Sequence, residues 1–137
     1  MEPDLILETT FLIDLEGERQ EGAGAAIRFL QANPHCRLHL THTIAGELAS
    51  GKSLARRHEW EAFLKPFQIL SWTPEVDWEY GKAFQYLQKQ GLLIGTNDLW
   101  IAATALAYDM PIVSKNIRHF ERVPNLRLTP YGPSPSA

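Results

Sequence analysis

The chain has 137 residues, 45% hydrophobic and 21% charged, and a formal net charge of −3. This length makes one domain the default and allows a real core without covalent staples, and the acidic balance excludes a uniformly basic nucleic-acid coat while leaving room for a local basic patch. The single cysteine, Cys36, excludes an internal disulfide framework and fits a reducing, cytoplasmic setting.

No apolar run approaches the roughly 20 residues that span a bilayer. The N-terminus has no basic region of the secretion-signal kind, so no signal peptide is expected. In chain order, the apolar run 5–7 reads as a buried strand. "FLIDLEGE" reads as a short helix ending near Gly17, and "EGAGAAIRFLQAN" as a helix with Ala26, Ile27, Phe29 and Leu30 on one face. That second helix must stop by Asn33, because Pro34 disfavours helical geometry in the residue before it. "CRLHL" alternates with period two and reads as a strand.

"THTIAGELASG" then predicts a helix capped by Thr41 or Thr43 and closed by Gly51. Another helix is expected over "SLARRHEWEAFLKPF", with Leu54, Trp60, Phe63 and Leu64 as its apolar stripe. "QILSW" reads as a third strand, and "TPEVDWEYGKAFQYLQKQG" as a helix with a Thr-Pro start and a Gly91 end. "TNDLWIAATALAYDM" is a helix capped by Thr96 or Asn97, "PIVS" a fourth strand and "LRLT" a fifth. Residues 1–128 form the expected domain, and 129–137, rich in Pro and Ser, read as a disordered tail. Trp60 and Trp100 are expected in the core.

Strands alternating with helices predict an α/β fold with a mostly parallel sheet covered on both faces. Ligands in such sheets bind beyond the carboxyl ends of the strands. Glu8 stands at the end of the first strand, Glu47 on the helix after the second, Asp98 in the first turn of a late helix, and Asn116 after the fourth strand. Clustered carboxylates repel unless a cation lies among them, and hard oxygen donors select Mg²⁺ or Mn²⁺. Such ions catalyse phosphodiester hydrolysis. Each residue alone also has a plainer reading. Asp98 suits a helix N-terminus through the dipole, Glu47 a solvated helix face, Asn116 a turn, and Glu8 a solvated strand end. Asp14 and Asp77 read as surface or cap residues. The set, not any one member, carries the metal-site reading.

These segments have a family resemblance. "LILETTFLIDL" resembles the opening of PIN-domain ribonucleases of the VapC toxin type, "TIAGELASG" their second motif, and "IGTNDLWIAATALAYDMPIVSKNIRHFERVPNLRL" their C-terminal signature. The last block is the most specific. The resemblance implies a three-layer α/β/α fold and a Mg²⁺- or Mn²⁺-dependent endoribonuclease. It also implies an antitoxin partner, a homodimer and an RNA substrate, with tRNA as the family-level expectation. By position, Glu8, Glu47 and Asp98 take the places of the metal-site acids and Asn116 that of a fourth site residue. Thr10 and Ser114 match hydroxyl positions that orient the site.

Glu8 is a departure, since the family usually has Asp there. The extra methylene moves the carboxylate by about 1.5 Å, and a misplacement of roughly 1 Å near a reacting centre can cost on the order of 10²-fold. Retained, weaker activity is the expectation, and the alternative is an attenuated domain that binds RNA or protein without cutting. Asn116 is neutral, and His119 stands where some relatives carry an acid, so weaker metal affinity and a one-metal site are the expectation. RNA-backbone candidates are Lys115, Arg118, His119 and Arg122 beside Asn116, with Lys52, Arg56 and Arg57 after Glu47 and Arg127 further on. A phosphoacceptor receiver would pair two acids after the first strand and place Asp after the third, and a dinucleotide-binding enzyme needs a Gly-rich first turn. Neither pattern is present.

Overall fold

The computed structural model describes residues 3–132. Strand β1 (Asp4–Leu7) runs through the middle of the sheet, and its apolar Leu5, Ile6 and Leu7 are all buried. Helix α1 (Thr9–Glu21) follows at once and buries Phe11, Leu12 and Leu15. It does not end near Gly17, as the sequence suggests, but continues to Gly22, whose φ of 114° suits a residue without Cβ. A single interior glycine costs a helix only about 1 kcal/mol, and the polar turn beyond it is held by contacts elsewhere in the fold. Glu18 reaches the start of α2, and the Arg19 guanidinium lies 5.1 Å from the centre of the Phe63 ring.

Helix α2 (Ala25–Ala32) starts later than the sequence suggests. Its N-cap, Gly24, has no side chain to accept the free N–H groups. Glu18 of α1 supplies that acceptor, taking N–H bonds from Gly24, Ala26 and Ile27 at 2.8, 3.1 and 2.9 Å. Asn33 ends α2, as Pro34 dictates.

Strand β2 (Arg37–Leu40) leads into α3 (His42–Ser50), whose cap is Thr41, accepting from the Ile44 N–H at 3.1 Å. Helix α4 (Arg57–Leu64) is shorter than its apolar stripe suggests, and Leu54 is buried from the preceding loop. Trp60 fastens α4 to α3 through a 2.9 Å bond from its indole N–H to the Ala45 carbonyl. Strand β3 (Gln68–Ile69) is an exposed edge. Helix α5 (Pro74–Gln90) begins at the Thr73 cap and ends at Gly91, which is left-handed at φ 68°.

Helix α6 (Thr96–Tyr108) packs along α5, with Trp100 stacked on Tyr80 at 3.7 Å between ring centres. Its cap position is Gly95, not Thr96 or Asn97. Strand β4 (Ile112–Val113), the single-turn helix α7 (Ile117–Phe120) and strand β5 (Leu128–Thr129) complete the fold.

The sheet has five strands in the order β3-β2-β1-β4-β5, and every pairing is parallel. With helices covering it, this is the expected three-layer α/β/α arrangement. The chain builds outward from β1 through β2 to β3, then returns to the other side for β4 and β5. Strand order therefore reverses between β1 and β4, and the crevice beyond their carboxyl ends is the natural binding position.

The expected tail boundary after residue 128 moves outward. Thr129 closes β5, and Tyr131 is buried against Phe11, 4.7 Å between ring centres. An aromatic ring gains more from that contact than a solvated tail would. Residues 133–137, the rest of the expected tail, lie outside the described residues.

Candidate active site

Glu8 sits where β1 gives way to α1, at the point of strand reversal. Its backbone N–H still belongs to the sheet, donating to the Val113 carbonyl at 3.1 Å. Its side chain turns back to cap α1, a role usually filled by Asp, Asn, Ser or Thr. Oε2 accepts from the Thr10 N–H at 3.2 Å, and Oε1 from the Thr10 hydroxyl at 2.8 Å. The Ser114 hydroxyl, just after β4, also donates to Oε1. The carboxylate is only 3% exposed. Burial raises its pKa above the usual range, hydrogen bonds from Ser114 and Thr10 oppose the shift, and the Asp98 charge adds to it.

Glu47 faces the same end of the sheet from α3 and is half-buried. Its Oε1 accepts the Thr9 hydroxyl at 2.6 Å, and its Oε2 lies 3.5 Å from the Asn97 amide. Thr9 follows Glu8 and Asn97 precedes Asp98, so Glu47 is tied to one neighbour of each of the other two acids. Asp98, in the first turn of α6, accepts from the Asn116 amide at 3.4 Å and has His119 Nδ1 at 3.4 Å. The Asn116 amide nitrogen also lies 3.3 Å from that ring nitrogen. The Asn116 N–H donates to the Ser114 hydroxyl at 2.8 Å.

The structure thus brings Glu8, Glu47, Asp98 and Asn116 to one end of the sheet, with Thr10 and Ser114 on Glu8. Sequence reading missed Thr9 and Asn97. "ETT" and "TND" offered hydroxyl and amide groups beside both acids, but nothing local pointed them at Glu47.

Among the described residues, no Lys or Arg forms an ion pair with Glu8, Glu47 or Asp98. Nor do three His, Cys, Asp or Glu side chains converge as a ready-made ion cage. The donor set nevertheless fits a hard divalent cation in kind: carboxylate, amide and hydroxyl oxygens, with a buried carboxylate whose charge has no basic partner.

The basic residues divide. Lys115 pairs with Asp14 at 2.7 Å, Arg57 with Glu61, and Arg127 with Asp109 at 3.1 Å. Arg122 donates to the carbonyls of Leu92 and Leu93 at 3.4 and 3.3 Å, ahead of α6. Lys52, Arg56 and Arg118 are exposed. Asp14 is more than a surface residue. Burial opposes its ionisation, but bonds from Lys115 and Tyr131 outweigh this and hold its carboxyl below the usual range. Asp77 accepts from the Trp72 indole at 2.7 Å in the first turn of α5. Neither Trp60 nor Trp100 is fully in the core, where the sequence places them: both are half-buried, Trp60 packed against the core and Trp100 between the rings of Trp72 and Tyr80.

A family model described as PIN domain matches residues 5–126. The ribonuclease VapC1 of Haemophilus influenzae is 30% identical over 127 residues, 89% of this chain and 93% of its own. The ribonuclease VapC2 of Rickettsia felis is 33% identical over 94 residues, 65% of this chain and 70% of its own. Among solved structures, VapBC-1 from nontypeable H. influenzae superposes with a TM-score of 0.77 and 28% identity, covering 93% of this chain and 97% of that one. VapBC2 from R. felis, solved bound to a DNA fragment from its promoter, shares the fold at a TM-score of 0.79 and 24% identity, covering 94% and 99%.

Proposed function

The chain belongs to the PIN-domain family, and from that premise we propose that it is a divalent-metal-dependent endoribonuclease, the toxin of a toxin–antitoxin pair. The observation that carries this reading is the buried Glu8 at the strand reversal, held by Ser114 and Thr10 and facing acids that, among the described residues, have no Lys or Arg paired to them. The VapC ribonucleases and VapBC complexes that resemble the chain support the same assignment.

Glu8, Glu47 and Asp98 would hold the ion, with Mg²⁺ or Mn²⁺ as the fitting class. When bound, such an ion supplies Lewis acidity toward a phosphodiester and its attacking water. The chain's own residues do the rest. Ser114 and Thr10 fix the Glu8 carboxylate, and Thr9 fixes Glu47. Asn116 and His119 flank Asp98 and set its orientation. Arg118, Lys52 and Arg56, exposed and without an ion pair among the described residues, are the proposed contacts to the RNA backbone. The partner is an antitoxin protein, and the assembly is a homodimer. Among the described residues, no helix is long and apolar enough to cross a membrane.

The test is cleavage of total RNA by the purified chain in Mg²⁺, Mn²⁺ or EDTA, beside Asp98→Asn and Glu8→Asp. Metal-dependent cleavage lost in Asp98→Asn and kept or raised in Glu8→Asp is the expected result. Cleavage that survives EDTA would overturn the metal requirement. Silence from wild type and Glu8→Asp alike would overturn the nuclease.

A further inference from the structure

The turn from β4 to α7 carries Ser114 and Asn116, two residues of the proposed site, with Lys115 between them. Its inner side meets Glu8 and Asp98. Its outer side is also fastened, by Asp14 and Tyr131, which lie outside the acid cluster. Lys115 Nζ lies 2.7 Å from Asp14 Oδ2, and the Tyr131 hydroxyl donates to that same oxygen at 2.7 Å. The ammonium sits 5.4 Å from the centre of the Tyr131 ring. Tyr131 is 6% exposed, wedged edge-on against the fully buried Phe11 of α1.

The backbone completes the connection. The Lys115 N–H donates to the Thr10 hydroxyl at 3.4 Å, and that hydroxyl itself donates to Glu8 at 2.8 Å. One residue on, the Asn116 N–H reaches Ser114 Oγ at 2.8 Å. The side chains of Asp14 and Lys115 are 32% and 50% exposed, so their ion pair contributes little to folding stability. Its effect is local: it fixes where Lys115 stands, and the residues on either side of Lys115 are those that touch the acids.

We propose that Asp14 and Tyr131 are positioning residues of the active site, anchoring Lys115 and so holding Ser114 against Glu8 and Asn116 beside Asp98. The role rests on the nuclease reading and deepens it. It also means that Lys115, drawn toward Asp14 from beneath, serves the site by holding the turn rather than by gripping the RNA backbone. A small displacement of this turn is enough to matter, since a shift of about 1 Å at a reacting centre costs up to roughly 10²-fold.

The experiment compares full-length wild type with Asp14→Asn, Asp14→Glu and Tyr131→Phe. Tyr131→Phe keeps the ring against Phe11 and removes only the hydroxyl, so the fold is preserved. The substrate is an RNA oligonucleotide containing a cut site mapped on total RNA. Hydrogen exchange of residues 114–118 is followed in parallel. The expected result is a fall in kcat of about 10-fold in Asp14→Asn, a smaller fall in Tyr131→Phe, little change in KM, and faster exchange confined to the turn. Asp14→Glu should recover part of both. A lowered KM at unchanged kcat would make the released Lys115 a substrate contact and overturn the positioning role, as would a raised KM at unchanged kcat. Unchanged kcat and unchanged exchange with an active wild type would overturn this role alone. Silence from wild type and Glu8→Asp alike would overturn the nuclease reading and this role with it. If only Glu8→Asp cuts, the same substitutions are read in that background with the same expected and overturning results.

Discussion

Ser114 donates its hydroxyl to Oε1 of Glu8, joining the ends of β4 and β1 across 106 residues of chain. Both groups are buried, at 0% and 3% exposure. A buried acceptor that loses a donor bears the desolvation cost without compensation. Ser114→Ala should therefore lower the unfolding free energy by about 1–3 kcal/mol. Urea denaturation at pH 7 measures it. The midpoint should fall with no change in slope, and an unmoved midpoint would mean that Thr10 alone satisfies the carboxylate.

Glu8 itself is expected to behave in the opposite way. A buried carboxylate with no basic partner disfavours the folded state, whatever it does for function. Gln keeps the length and one acceptor oxygen but removes the charge. In EDTA, Glu8→Gln should melt at or above the wild type, by about 3 °C for a 137-residue chain. Adding Mn²⁺ should raise the wild-type midpoint and leave the variant nearly still. A drop of several degrees in Glu8→Gln would show instead that α1 needs the full charge of its cap.

The fold was legible wherever the cue was local. Pro34 forced the end of α2, Thr41 and Thr73 announced helix starts, and Gly91 announced an end. The rest depended on partners distant in sequence. Helix α1 runs past Gly17 although its last four residues are polar, and there Glu18 bonds the start of α2 and Arg19 lies over the Phe63 ring. Helix α2 begins at Ala25 because Glu18, from another helix, caps it. The site follows the same division. Its acids could be assigned to one end of the sheet from a strand end for Glu8, the helix after a strand for Glu47 and a helix start for Asp98. Thr9 on Glu47 and Tyr131 on Asp14 could not, since those partners lie 38 and 117 residues away. The fate of the longer side chain at position 8 was also hidden. Its carboxylate folds back onto α1, which spacing along the chain does not reveal.

At the opposite end of the sheet, Asp4 gives a pH dependence with a definite sign. His39 Nε2 and Arg37 bond its carboxylate at 2.8 and 3.0 Å and hold its pKa below the ordinary 3.8. A lowered carboxylate pKa stabilises the fold above the unfolded value, and that contribution disappears as pH falls through the folded value. Asp4→Asn should melt below wild type at pH 7, and the gap should close toward pH 3. Thermal melts across that range decide it, and a gap that widens in acid would show that the bonds to His39 and Arg37 are not what sets the stability there.

Arg118 and Arg122 lie four residues apart, yet their roles should separate cleanly. Arg122 is occupied by the Leu92 and Leu93 carbonyls, so it braces the segment that launches α6 and Asp98. Arg118 is exposed and bears no ion pair among the described residues. Arg118→Ala should raise KM for RNA and flatten its dependence on salt by about one unit of log–log slope, with the melting midpoint unchanged. Arg122→Ala should lower the midpoint and kcat, with the salt slope intact. Steady-state cleavage at several KCl concentrations, beside thermal melts, makes the comparison. Equal salt slopes for Arg118→Ala and wild type would remove Arg118 from the RNA-binding surface and leave Lys52 and Arg56 as its exposed candidates.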